Sequence, residues 1–134
     1  MTFAELRNDI VILTCAISAG IHGALVREHF AEGAGAGLGF LVATVLLAVL
    51  AVALTYKPTQ AALAGTVLVY AGLIVSYVLA VTTGVPVLHP DVEPVDGLAL
   101  FTKAVEIVGL LIAASQIRRP SFALDLTQPK GTTT

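Results

Sequence analysis

Residues 34 to 56 read AGAGLGFLVATVLLAVLAVALTY, 23 consecutive positions with no charged side chain and only Thr44, Thr55 and the closing Tyr56 as polar interruptions. A helix of that length rises about 34 Å, enough to cross a hydrocarbon layer about 30 Å thick. No water is available in that layer to satisfy a strand edge or a loop, so a helix is the open-chain solution. Working outward, three further apolar runs occupy residues 10–26, 61–85 and 97–117. The first is short, but Thr2 and Glu5 spell a T-x-x-E capping box, which lets its helix start among the headgroups and pass through Leu6, Arg7 and Asp9. Lys57, Pro58, Thr59 and Gln60 predict a tight turn, and Gly84 followed by Pro86 a stop for the third helix. Asp96 predicts an N-cap for the fourth, and Arg118, Arg119 and Pro120 its end. The expected fold is therefore all-α: one integral membrane four-helix bundle over residues 1–120, with spans at about 10–26, 34–56, 61–85 and 97–117, and a polar tail over 121–134.

Composition agrees. Of 134 residues, 57% are apolar before the 12 glycines are counted, and only 12% are charged. A soluble domain has roughly 45–50% apolar residues with glycine included, and about twice the charge. The first expected partner is thus the lipid bilayer. A net charge of −2 with seven basic residues spread along the chain leaves no basic stripe to track phosphates, so nucleic acid is not an expected partner. The single cysteine, Cys15, excludes a thiol–disulfide relay and a cysteine zinc cage, and reads as a buried packing residue. G-x-S-x-G, H-E-x-x-H and P-loop patterns are absent. The glycines from Gly33 to Gly39 fit a dinucleotide fingerprint poorly and follow no strand. Without a traceable nucleophile, base and orienting group, an enzyme is the least supported reading.

Basic residues give the expected orientation. With four spans, Arg7, Lys57, Arg118, Arg119 and Lys130 share one side and Arg27 stands alone on the other. The positive-inside rule then predicts a multi-pass plasma-membrane protein with both termini cytoplasmic (N-in/C-in), and hence a cytoplasmic tail. Glu5 and Asp9 precede the first apolar run, which argues against a cleaved signal peptide. The outer side gathers Glu28, Glu32, Asp91, Glu93 and Asp96 into an acidic rim.

Helix one carries Cys15, Ser18, His22 and His29 on one face, helix three Thr66, Tyr70 and Tyr77, and helix four Lys103 and Glu106 one turn apart. Measured from the outer ends at about 1.5 Å per residue, His22 lies about 9 Å deep, Tyr77 and Lys103 about 10.5 Å, and Glu106 about 15 Å. If these faces converge, His22, Tyr77, Lys103 and Glu106 line one outward pocket. An ionisable group inside a span is costly and by default marks function, although a Lys103–Glu106 pair could also serve only to fix helix packing. Histidine adds a group that changes protonation near neutral pH. At the rim, Glu28, His29, Glu32, His89, Asp91 and Glu93 mix imidazole with carboxylate, a donor set suited to Zn, Cu or Fe. His22 and His29 lie about 10.5 Å apart along the helix, so they cannot share one ion. Lys103 would repel a cation at the deep position. Helix two, apolar all round, is expected to face lipid and to pack through the small-xxx-small pairs Gly33/Gly37 and Gly35/Gly39.

His22, the run Glu28-His29-Phe30, and Pro90-x-x-Glu93-Pro94-Val95-x-Gly97-Leu98 leading to Glu106 resemble small four-span membrane proteins encoded in high-GC actinobacteria, as does the Ala-rich, Lys-poor composition. The resemblance covers most of the chain. It implies the four-span architecture, draws attention to His22, Glu28, His29, Glu93 and Glu106, and supplies no reaction.

Three functions compete on this reading. The first is a binding protein, monomeric or a homo-oligomer, whose outward polar pocket holds a metal ion (Cu, Zn or Fe), a haem-like group or a small polar ligand. The second is a proton-coupled small transporter in which Glu106 and His22 exchange protons. Small multidrug transporters share the size but need an acid in the first span, where this chain has His22. The third is an accessory or assembly subunit of a larger membrane complex.

Overall fold

The structure is a computed structural model and describes residues 1–85 and 92–117. Its regular elements there are four helices, α1 (Phe3–Glu32), α2 (Ala34–Tyr56), α3 (Gln60–Thr82) and α4 (Gly97–Gln116). Each is long and apolar enough to cross a membrane, and together they fit a multi-pass membrane protein. The expected helix stop at Arg118 to Pro120, the polar tail over 121–134, and Pro86 lie outside the described residues.

Local chemistry sets the ends. At the start of α1 the Thr2 hydroxyl accepts from the Glu5 amide at 3.2 Å, and the Glu5 carboxylate accepts from the Thr2 amide at 2.6 Å, which is the reciprocal capping box. α1 then runs for 30 residues, about 45 Å, starting at the expected capping box and continuing six residues past the end of the 10–26 apolar run. Its last turns hold Arg27, Glu28, His29 and Glu32, which stay helical because the backbone ladder continues after the apolar run has stopped. Only Gly33, extended at φ 174° and ψ 148°, separates α1 from α2. α3 opens on Thr59, whose hydroxyl accepts from the Ala62 amide at 3.1 Å, and α4 on Asp96, whose carboxylate accepts from the Ala99 amide at 2.8 Å. α3 ends at Thr82 rather than at residue 85, because Gly84 takes a left-handed φ of 72° just past the Thr83 cap. Glycine alone adopts that geometry without penalty.

The helices form a ring in chain order, α1 packing on α2 and α4, and α3 on α2 and α4. α1 and α2 approach closely at Gly37, where a side chain would collide with the Phe30 ring, whereas Gly33 and Gly39 face open space. α2 does not simply face lipid: it buries Ala36, Gly37, Ala43, Leu47 and Leu54. The core is built from Val11, Cys15, Leu47, Leu54, Leu63, Tyr70 and Ala113. At the Lys57 end, Arg7 pairs with the Ser115 hydroxyl and the Asn8 amide donates to the Leu54 carbonyl at 3.4 Å.

Polarity is inverted relative to a soluble bundle. The buried set includes Thr14, Ser18, His22, Thr66, Thr102 and Glu106, while Leu41, Val45, Val49, Val52, Leu68, Val75 and Leu111 point outward. Burying an ionisable group costs free energy unless it is paired, and a soluble surface does not carry an apolar belt this continuous. Lipid outside and a satisfied polar cluster inside account for both.

Candidate functional site

Glu106 has no exposed surface and sits one turn beyond Lys103 on α4. Both of its oxygens are engaged. The Lys103 ammonium donates to Oε2 at 2.5 Å, and the Ser18 hydroxyl of α1 donates to Oε1 at 2.8 Å. His22 Nε2 lies 3.8 Å from the same Oε1. The spacing of Ser18 and His22, four residues apart, stacks them on the face of α1 that meets α4.

The hydrogen bonds define the histidine tautomer. His22 Nδ1 lies 2.9 Å from the Ser18 carbonyl oxygen, which can only accept, so Nδ1 carries a proton. In a neutral ring Nε2 then presents a lone pair to the Glu106 carboxylate. Two acceptors facing each other can bind one further proton between them. The cluster is thus charge-balanced through Lys103.

α3 supplies Tyr77. Its ring lies below the Lys103 ammonium, 5.5 Å from centroid to Nζ. Its hydroxyl oxygen is buried and has no hydrogen-bond partner among the described residues. α2 contributes Phe40, which stacks on His29 at a centroid distance of 3.6 Å and tilts against His22 at 5.2 Å. The four residues expected to share a pocket are therefore brought together, with the qualification that Glu106 lies behind the others and does not line the open space.

That space is a cavity of about 630 Å³ between all four helices. His22, Tyr77, Thr102 and Lys103 line its inner part, and Glu28, Glu32, Glu93 and Asp96 line it near the helix ends. Beyond Glu106 the interior is filled. Tyr70 is fully buried, donates to the Cys15 sulfur at 3.4 Å, and packs so closely on α4 that a Cβ added at Gly109 would lie 2.5 Å from both its ring and the Thr14 hydroxyl. Cys15 itself is completely buried, a packing residue as its sequence context suggests.

The expected metal-ligand rim is assembled only in part. His29 Nδ1 donates to the Leu25 carbonyl at 3.0 Å, and its Nε2 lies 3.9 Å from a Glu32 oxygen. Glu28 and Glu93 line the same cavity. Among the described residues, however, no three of His, Cys, Asp and Glu gather into a set able to hold a metal ion. His89 and Asp91 lie outside the described residues.

Three contributors lie outside the four expected pocket residues. Ser18 shares the polar face of helix one but looks like ordinary small-residue packing. Thr102, four residues before Glu106, is buried with its hydroxyl turned to the Leu98 carbonyl at 2.8 Å. Phe40 carries no signal at all, because an aromatic residue in an apolar helix has no preferred face until a neighbour packs on it. No family model, curated protein or solved structure matches this chain.

Proposed function

We propose that this is a plasma-membrane protein with both termini in the cytoplasm, and that its outward-facing cavity binds a small polar ligand against the floor made by His22, Tyr77 and Lys103. The observation that carries the reading is a cavity of about 630 Å³ between the four helices whose inner wall brings His22, Tyr77 and Lys103 together, with Lys103 charge-balanced by the buried Glu106. Among the described residues no three of His, Cys, Asp and Glu gather there, which favours a small molecule over a metal ion.

The test is thermal unfolding of the detergent-purified protein against a panel of amines, amino acids, carboxylates, sugars and metal salts. A ligand that binds only the folded state stabilises it by about 2.7 kcal/mol at one hundred times its dissociation constant. At least one member should raise the melting temperature saturably, and the Lys103→Met, Glu106→Gln double variant should lose that response. A panel without one saturable response overturns the reading.

A second reading is a proton-coupled transporter. It is favoured by one observation, the His22 nitrogen facing the Glu106 oxygen at 3.8 Å with space for a shared proton. Substrate uptake into proteoliposomes driven by a pH gradient, and abolished by Glu106→Gln, would establish it. The filled interior around Tyr70 favours binding over passage.

A further inference from the structure

We propose that the ligand comes from the bilayer: a neutral lipid with a small oxygen-bearing head, which reaches Lys103 through a lateral gap between α2 and α3. The inference rests on the binding reading above and identifies its polar ligand as the head of a lipid.

Two pairs of residues define the gap. Leu50 and Gly39 lie eleven positions apart on α2, and Gly65 and Ser76 eleven apart on α3. Eleven residues make about three turns, so each pair shares one face of its helix. At the level of Leu50 and Gly65 the two helices touch, since a Cβ added at Gly65 would lie 3.2 Å from Leu50 Cδ2. About 16 Å further toward the rim they do not. Gly39 and Ser76 are both exposed, both line the cavity, and a Cβ added at Gly39 meets nothing within 4 Å. Leu46, one turn beyond Leu50 on the same flank, is exposed as well. α2 and α3 therefore splay toward the rim, and the cavity opens sideways between them.

Depth decides what stands in that gap. Gly39 lies five residues inside the rim end of α2 and Ser76 six inside that of α3, about 7.5 and 9 Å along the helices. α2 is about 34 Å long against about 30 Å of hydrocarbon, so both positions fall in the apolar layer, among lipid chains. At the aqueous end the chain leading into α4 folds back on α3. The Glu93 amide donates to the Ala80 carbonyl at 3.0 Å, and Val92 and Pro94 join the cavity wall. Protein thus covers part of the aqueous end, whereas the lateral gap leaves Gly39 and Ser76 exposed.

The floor specifies the head. A lysine ammonium has three N–H donors, and Glu106 takes one of those of Lys103 at 2.5 Å. Lys103 also lines the cavity, where an oxygen acceptor can meet its ammonium. Its charge is already balanced by the Glu106 carboxylate, so an ionic head would bring an uncompensated charge into a low-dielectric site. A hydroxyl, ketone or ester oxygen accepts without that cost. The alkyl chain then passes Phe40 and Leu73 and leaves through the gap into the bilayer.

The test uses the full chain in phosphatidylcholine proteoliposomes and adds 1-hexadecanol to the ligand panel, read as competition against photolabelling by a diazirine analogue of the same alcohol. Labelling should saturate, map to α2 and α3 around Gly39 and Ser76, and be displaced by hexadecanol but not by hexadecane or palmitate. Gly39→Leu with Ser76→Leu fills the gap at two exposed positions and should abolish saturable labelling while the bundle stays folded by circular dichroism. Ser76→Leu alone makes the same test should the pair not fold. The Lys103→Met, Glu106→Gln variant removes the donor together with its counter-charge and should weaken hexadecanol about three- to tenfold, the worth of one hydrogen bond. Labelling that never saturates, or that spreads evenly over the exposed faces of all four helices, is ordinary lipid contact and overturns the proposal. Saturable labelling that persists in the gap-filling variant overturns it too. Displacement by palmitate as readily as by hexadecanol overturns the neutral head, and an unchanged affinity in the Lys103→Met, Glu106→Gln variant overturns the part of Lys103. Hexadecanol silent while a water-soluble member of the panel binds overturns the lipid and leaves the binding reading standing, and silence of the whole panel overturns both.

Discussion

Lys103→Met is the most informative single change at the cluster. It keeps most of the unbranched stem and removes the ammonium, so packing is nearly conserved while Glu106 loses the 2.5 Å partner on Oε2. The carboxylate keeps the Ser18 bond at 2.8 Å and the more distant His22, and it has no exposed surface through which water could replace what is lost. Breaking a buried ion pair from one side costs about 3–5 kcal/mol. The Lys103 side chain is 12% exposed, so water reaches its head from the cavity and about 3 kcal/mol is the expected figure. Glu106→Gln should cost less, about 1–2 kcal/mol, because the lysine head can turn toward the cavity while the amide oxygen still accepts from Ser18. With both charges removed, neither penalty applies in full. The double variant should therefore be at least about 2 kcal/mol more stable than the sum of the single effects implies. Unfolding by SDS titration from detergent micelles, followed by circular dichroism, measures all four corners of the cycle. Additivity within about 0.5 kcal/mol would show that the two charges do not interact and would dissolve the cluster. A double variant that folds also separates roles, since any binding it has lost was chemical and not structural.

Two other perturbations probe different parts of the bundle. Gly109→Ala places a methyl group 2.5 Å from the Tyr70 ring and the Thr14 hydroxyl and should destabilise by about 1–3 kcal/mol, whereas Gly72→Ala meets nothing within 4 Å and should stabilise by up to about 1 kcal/mol. Equal effects in thermal unfolding would refute the close packing beneath Glu106. For orientation, Val95→Cys should react with a membrane-impermeant maleimide in intact cells and Pro58→Cys only after permeabilisation; both positions are exposed and the native Cys15 is buried. The reverse pattern would turn the cavity to the cytoplasm.

What the sequence discloses follows from what lipid does to it. α2 is legible to the residue because 23 uncharged, mostly apolar positions are bounded by Gly33 and Lys57. The caps at Thr2 and Asp96 are legible because a hydroxyl or carboxylate before a helix has one local partner to find. The far end of α1 is not, since its apolar run stops at Val26 while the backbone ladder continues to Glu32. His22, Tyr77, Lys103 and Glu106 stand out because each interrupts hydrocarbon.

Inside a membrane the face that packs is marked by small and polar side chains, since hydrophobic residues are as well placed against lipid as against another helix. α4 shows this in its buried residues, Thr102, Glu106, Gly109 and Ala113, which recur at steps of four, three and four. α1 shows it again in Val11, Thr14, Cys15, Ser18, Ala19 and His22. Both stripes can be read without coordinates, and both lead to the cluster. α2 offers no polar mark. Its buried residues include Ala43, Leu47 and Leu54, chemically equivalent to the exposed Leu46 and Val49 beside them. Which side of that helix faces inward is decided by the complementary shape of α1, and so Phe40, the aromatic wall of the cavity, is the contributor that only packing reveals.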